Sequence, residues 1–253
     1  MIYEQLPPWE ALLKRIVFTH LGDVQHLRVL DFGSGNGVTA DHLAAHNQVL
    51  AIEPNEDAVR ERFRTHEYEQ RIGSLDVLES LHDESFDLIL CHNVLEYVPE
   101  RAEVVRAFHR LLRPGGQLSI VKHNRDGRVM QMAVLLNRFD DANALLDGAD
   151  SHSARFGTIR YYEDEDVCRW CPELHLQRVR GIRCFWDLQQ EQDIQRDPDW
   201  QAQMTAMELR VSELEPYRAI AFFHHLTLTK PCADTSAASP NPIPSNHTRY
   251  KRY

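Results

Sequence analysis

Asp31-Phe32-Gly33-Ser34-Gly35-Asn36-Gly37 decides how the rest of this chain is read. The apolar run before it, Arg28-Val29-Leu30, reads as a short buried strand. The segment after it, Val38-Thr39-Ala40-Asp41-His42-Leu43-Ala44, carries apolar positions at helical spacing. The stretch therefore joins a strand to a helix through a glycine turn. N–H groups at such a helix start lack partners and carry partial positive charge, so they suit the polar end of a ligand. Glycine is needed where the main chain turns sharply and where a ligand must touch it.

A nicotinamide-cofactor turn reads G-x-G-x-x-G/A. Here Gly33-x-Gly35 is followed by Val38 where that pattern wants its third small residue, and Gly37 falls one position early. Asp31 lies two residues before the first glycine. A carboxylate there repels a pyrophosphate and attracts an ammonium group. D-x-G-x-G-x-G after a first strand resembles motif I of the class I S-adenosylmethionine (SAM)-dependent methyltransferases. The resemblance implies SAM as cofactor, held by Asp31, Gly33, Ser34, Gly35 and Gly37. The plain alternative is a glycine loop that binds nothing.

Two further acids strengthen this reading. Gln48–Glu53 is the second strand, stopped by Pro54-Asn55. Glu53 closes it roughly twenty residues after the glycine turn, where dinucleotide-type folds place an acid for the ribose hydroxyls. Gln70–Leu75 is predicted as the third strand, followed by Asp76 and Val77. In the family an acid at this point, with the next backbone N–H, reads the adenine edge; alone, Asp76 reads as a helix N-cap. Ser85–His92 is the fourth strand, continuous and apolar as a central parallel strand should be. Its carboxyl end faces the ligand crevice, so His92 and Asn93 fall where a methyl group would be transferred. His92 reads equally as a histidine satisfied by a neighbouring backbone carbonyl.

The length of 253 residues suits one large α/β domain with elaborations. A formal net charge of -10 exerts no global pull on nucleic acid. Cys168-Arg-Trp-Cys171 has CxxC spacing but no second ligand pair, so the two read as packing cysteines and no metal is expected. No apolar run reaches membrane-spanning length and no signal-peptide core opens the chain. A cytoplasmic protein without membrane contact is the expectation; the oligomeric state is open.

The predicted fold is α/β: a Rossmann-like, seven-stranded class I methyltransferase sheet with helices on both faces and the last strand antiparallel at its edge. Residues 1–231 form the methyltransferase domain. Met1–Leu21 is an amphipathic helix, either packed across the sheet edge or a lid over the cofactor. Arg113-Pro114-Gly115-Gly116 is a tight turn before strand five, Gln117–Lys122. Cap inserts follow strands five and six, at 123–173 and 187–216. Within the first, Arg128–Phe139 reads as a helix and Asp140–Arg160 as loop. Leu174–Phe185 is strand six, Trp200–Leu214 a helix, and Arg218–Lys230 the last strand. Residues 232–253 read as a disordered tail with a basic end.

The second half is similar to one subfamily, the tRNA carboxymethoxyuridine methyltransferases, which esterify the carboxylate of a modified wobble uridine. The similarity rests on His92–Val98, Asn124-x-x-Gly127, Gly181–Leu188 and the stretch from Glu208-Leu209 through Glu215-Pro216-Tyr217. It implies Arg183 as the grip on an acceptor carboxylate, with Arg125 a second candidate, because a guanidinium fork fits a carboxylate bidentately. For Arg183 a strand-edge ion pair is the competing reading. The cap residues Asp140, Asp141, Asp147 and Asp150 are acidic, and basic residues such as Arg155, Arg160, Arg178 and Arg180 are scattered. Anionic tRNA needs compensating positive charge. The acceptor is therefore a modified tRNA or a small-molecule acid. An ionised carboxylate needs no base; a hydroxyl or amine acceptor would, and His92 is placed to be one. A non-catalytic SAM-fold binding module and a nicotinamide oxidoreductase stand as alternatives.

Overall fold

The first strand, β1 (Arg28–Phe32), is buried from Val29 onward because it lies in the middle of the sheet. From it the chain winds outward through α2 (Val38–Ala44), β2 (Gln48–Glu53), α3 (Glu56–Arg60) and β3 (Glu69–Ile72). It then returns through α4 (Leu75–Glu79) to β4 (Phe86–His92), on the other side of β1, and on through α5 (Arg101–Leu111) to β5 (Leu112–His123). All these pairings are parallel. The reversal of direction between β1 and β4 opens a crevice over their carboxyl ends. This computed structural model describes residues 5–154 and 157–232. Arg155 and the tail from Ala233 onward lie outside the described residues.

The sheet order is β3-β2-β1-β4-β5-β9-β8, with β8 at His175–Ile182 and β9 at Phe223–Thr229. β9 runs antiparallel to both neighbours, as expected of the last strand. Its position corrects the sequence reading: it lies inside the sheet and β8 forms the edge. Leu226 and Leu228 are fully buried, and pairing on both sides explains why. The carboxyl ends of β4, β5 and β8 thus share one rim with the start of β9.

Several boundaries move for local reasons. A helix α1 (Pro8–Leu21) begins at a proline in its first turn, where a missing N–H costs nothing. It crosses the sheet face rather than its edge: Leu12, Leu13, Ile16 and Val17 pack against Val121, Phe222 and Phe223. β3 ends three residues early because Gly73 (φ 147°) turns the chain and Leu75 already begins α4. Asp76 therefore sits inside a helical first turn, where its Oδ1 accepts from Ser74 N at 2.8 Å. Arg113–Gly116 is no separate turn; it is an irregular opening of β5, where the register with β4 jumps from Phe86↔Leu112 to Leu88↔Gln117.

The first cap insert is more ordered than its composition suggests. α6 (Arg125–Met130) starts earlier than predicted and runs into a π-helical turn, Gln131–Leu135. The predicted loop contains α7 (Phe139–Leu146) and a two-stranded ribbon, β6 (Ser151–Ser153) with β7 (Gly157–Ile159). After α8 (Asp166–Trp170), Cys171 joins the core while Cys168 packs at its border; both are free thiols. The second insert holds α9 (Pro198–Val211).

Candidate functional site

Along the rim of the crevice the glycine turn comes first. Gly33, Gly35 and Gly37 all have positive φ (75°, 54° and 76°). At Gly33 a Cβ would lie 2.3 Å from Val94 Cγ2, and at Gly37 it would lie 2.4 Å from the Tyr68 hydroxyl. At Gly35 nothing lies within 4 Å of that position. So two glycines are demanded by packing, while the middle one opens the backbone to whatever the crevice holds.

Asp31 ends β1 beneath this turn and is 3% exposed. Its Oδ2 is buried with no partner among the described residues. Burial raises its pKa to about 6, with Lys14 opposing and Glu53 adding to the rise. A buried bare carboxylate oxygen is costly, and a cationic ligand would meet it. Lys14 reaches in from α1, donates to Thr39 Oγ1 at 2.7 Å, and has its own pKa lowered by burial. The amphipathic pattern of Met1–Leu21 gives Lys14 no role. Helical periodicity signals which face is apolar, not what the polar face approaches.

Glu53 lies at the end of β2 and spans the turn. Its Oε2 accepts from Gly35 N at 2.8 Å and its Oε1 from Asn55 N at 2.9 Å. Each oxygen retains acceptor capacity for further donors. Ser34 Oγ, next to Gly35 in the turn, is buried and has no partner among the described residues. Pro54 is exposed at the rim, and Val77 follows Asp76 in α4.

At the end of β4, His92 Nε2 lies 2.9 Å from Ser119 Oγ. Burial, with Lys14 nearby, holds its imidazole down at about 3, so it is neutral at physiological pH. Its partner is thus a serine hydroxyl rather than the backbone carbonyl considered from sequence. Asn93 takes a positive φ of 57°, donates its N–H to Val121 O at 2.7 Å, and leaves Oδ1 buried and unpartnered. Such backbone strain on a non-glycine residue is concentrated at functional rims.

The far side of the rim carries guanidinium groups. Arg183 lies one residue beyond β8 rather than on it, with φ 63° and 7% exposure. It forks onto Asp187, with Nε to Oδ2 at 2.7 Å and Nη2 to Oδ1, so the predicted ion pair is present. Nη1 has no partner among the described residues. The guanidinium lies over Phe222 (4.5 Å) and near Phe223 and Trp9. The turn that presents it is held by Glu208, whose carboxylate is fully buried and accepts N–H bonds from Cys184, Phe185 and Trp186 at 2.7–3.1 Å. Glu208 was visible as a matched residue only; its work depends on a contact spanning 24 positions.

Arg125 is turned away from this group. It donates to Leu145 O and Ala149 O and stacks on Tyr161, so it braces the cap. Arg128, one helical turn on, is instead the second guanidinium at Phe222, 5.7 Å from the ring centre. It bonds Gln131, which donates to Asp187 at 2.8 Å, and its Nε is buried without a partner among the described residues. His123, ending β5, packs on Phe222 and Phe223, and its Nδ1 also lacks a partner there. Burial, with Arg128, Arg183 and Lys122 nearby, depresses its pKa to about 3. Arg128 was hidden from sequence reading by its place in an apolar helix.

The rim therefore joins a bare acid under a glycine turn to a pair of arginines among aromatic rings, with a neutral histidine between them along the strand ends. Residues 30–118 match the methyltransferase domain family. Over 221 residues the chain is 31% identical to the tRNA 5-carboxymethoxyuridine methyltransferase of Escherichia coli strain K12, covering 82% of this chain and 81% of that protein. It is 31% identical over 171 residues to a ubiquinone biosynthesis O-methyltransferase of Albidiferax ferrireducens, covering 65% of this chain and 66% of that one. Among solved structures, an S-adenosylmethionine-dependent methyltransferase from Mesorhizobium loti superposes with a TM-score of 0.53 at 16% identity, over 90% of this chain and 99% of that chain. The chain belongs to the class I SAM-dependent methyltransferases, and S-adenosylmethionine is its cofactor. No helix among the described residues is long and apolar enough to cross a membrane.

Proposed function

We propose that this enzyme methylates a carboxylate oxygen, and that its acceptor is the carboxymethoxy group of a modified uridine in tRNA. The observation that carries the reading is the Arg183 guanidinium at the rim, locked by Asp187 among Phe222, Phe223 and Trp9 with Nη1 unspent. A carboxylate placed there gains a charge-assisted hydrogen bond in surroundings that shed water. Arg128 Nε and His123 Nδ1 are further unmet polar atoms for the same acceptor. The E. coli relative named above supports the tRNA acceptor, because its similarity covers 82% of this chain and so extends well beyond the domain match at residues 30–118.

The residues present fit the cofactor. Asp31 Oδ2 would take an ammonium, Gly33, Ser34, Gly35 and Gly37 would let the backbone approach it, Glu53 and Pro54 would flank the ribose, and Asp76 with the Val77 N–H would read the adenine. Bound SAM supplies a methyl group on a positively charged sulfur. The chain's own residues then have little proton chemistry to do. An ionised carboxylate is already nucleophilic, so Arg183 and Asn93 orient it, His92 supports it as a neutral group, and the aromatic wall excludes water.

Incubation with methyl-labelled SAM and either bulk tRNA or a small-metabolite extract tests the proposal. Label in tRNA that is released by mild alkali identifies a methyl ester. Alkali-stable label excludes a carboxylate acceptor. Label only in the metabolite extract supports the second reading, a small-molecule acid, which the acidic residues of α7, Asp140 and Asp141, favour.

A further inference from the structure

Four side chains from separate elements form one hydrogen-bonded row across the sheet face beneath α1. His92 Nε2 on β4 lies 2.9 Å from Ser119 Oγ on β5, and that oxygen lies 2.7 Å from His225 Nε2 on β9. His225 Nδ1 lies 3.1 Å from His20 Nδ1 on α1. Ser119 and His225 are each 1% exposed. Every ring in the row is held neutral. Burial, then Lys14, brings His92 to about 3; burial, then Arg180 against Glu213, brings His20 to about 4. His225 is pushed well below its ordinary value by burial, with His92, His20 and Arg180 adding to it.

Counting protons leaves few arrangements. A neutral imidazole has one N–H and one bare nitrogen, and a serine hydroxyl has one proton. His225 spends both nitrogens in the row, and Ser119 has no partner outside it among the described residues. All three bonds must therefore point the same way. The free end selects the direction, because His20 Nε2 is buried and has no partner among the described residues. In one direction that nitrogen carries an N–H with no acceptor; in the other it is a bare lone pair. Orphaned buried N–H groups are the rarer of the two. So His20 Nδ1–H donates to His225, His225 Nε2–H donates to Ser119, and the Ser119 hydroxyl donates to His92 Nε2.

We propose that this row fixes His92 with its proton on Nδ1, making it a hydrogen-bond donor at the methyl-transfer rim, with Ser119, His225 and His20 as positioning residues. Nε2 is blocked by the serine proton and Nδ1 already carries one, so His92 is no general base. The proposal thus departs from the base role considered for it from sequence. That the N–H supports an acceptor carboxylate rests on the reading under Proposed function; the proton order of the row does not.

Long-range proton–nitrogen correlation spectra of the full chain labelled with 15N-histidine read the tautomer directly. The His92 signals are assigned by their loss in His92→Asn. The expected result is a protonated Nδ1, a bare Nε2 and no titration between pH 5 and 8, with or without S-adenosylhomocysteine. A proton on Nε2, or a titration midpoint near the ordinary histidine value, overturns the proposal on the wild-type protein alone. In Ser119→Ala the Nδ1 preference should vanish and the acceptor KM rise about tenfold, the worth of one ordinary hydrogen bond, with kcat little changed. Ser119→Thr, which keeps the hydroxyl, should restore both. An unchanged tautomer in Ser119→Ala also overturns it. If the row behaves as expected and no carboxylate is labelled, the acceptor assignment fails and the row stands.

Discussion

The two ends of the rim handle charge in opposite ways. At the β1–β2 end, Asp31 presents a buried carboxylate oxygen with no partner among the described residues, under a turn whose middle glycine faces open space. At the β5–β8 end, Arg183 is forked onto Asp187, and Lys122 bonds Asp164, which also bonds His224. Burial pushes the Asp164 carboxyl up, but His224 and Lys122 outweigh it and hold it at about 2. The first end has an electrostatic need that Lys14 offsets only in part. The second has met most of its needs internally, so an acceptor there joins an existing pair. Affinity should therefore be concentrated at the cofactor end and selectivity at the acceptor end.

The largest way to break this contrast is to remove the brace of the acceptor end. Glu208 accepts three backbone N–H bonds and is wholly buried, although burial raises its pKa and those N–H groups oppose the rise. Glu208→Ala leaves three backbone donors unmet, those of Cys184 and Trp186 buried, and a cavity behind. A loss of about 3–5 kcal/mol in unfolding free energy is expected, read from denaturant midpoints. A loss under about 1 kcal/mol would mean that the turn holds itself. The cofactor end should suffer less from its own central change. Asp31→Asn removes a charge that burial already disfavours, yet SAM affinity by calorimetry should fall about 100-fold, the worth of a charge-assisted hydrogen bond of about 2–3 kcal/mol.

These two residues also show what was legible in the sequence. Asp31, Gly33, Gly35 and Glu53 could be read because their geometry is local: a strand end, a turn and the next strand end fix it within about 20 positions. Continuous apolar strands fixed the parallel half for the same reason. The acceptor end is assembled from α1, α6, the end of β8, the start of β9 and α9, so no spacing rule joins its parts. Arg183 was proposed through a resemblance; Arg128, Lys14 and Glu208 were not assigned roles, because each acts on a surface that only the folded sheet brings near. The placing of β9 failed for a related reason. Alternating burial marks a strand, but it does not say whether one neighbour or two will pair with it.

Arg183→Gln sharpens the comparison from the other side. It should raise the acceptor KM about thirtyfold while leaving the SAM dissociation constant within about twofold, because the two ends do not share ligands. A matching loss in SAM affinity would show that the ends are coupled through α1, whose Trp9 lies 5.4 Å from the Arg183 guanidinium and whose Lys14 bonds Thr39.

The smallest effect concerns pH. Asp31 titrates at about 6 in the folded chain, against 3.8 as its ordinary value, mainly through burial. An ammonium partner requires the ionised form. SAM affinity should thus be flat above about pH 6 and fall about tenfold for each unit below it. Stability runs the other way: a folded pKa above the unfolded one means the folded state holds the proton more tightly. This contribution is fully present below 3.8 and is lost as pH rises through about 6. The buried histidines have depressed values and lose stability as pH falls from about 6.5, so the raw profile mixes both signs. Subtracting the Asp31→Asn profile from the wild type removes the histidines. The difference in melting temperature of the cofactor-free proteins should then move against the wild type between pH 4 and 7. A flat difference would mean that Lys14 keeps Asp31 ionised throughout, and that this end is already paired before any ligand arrives.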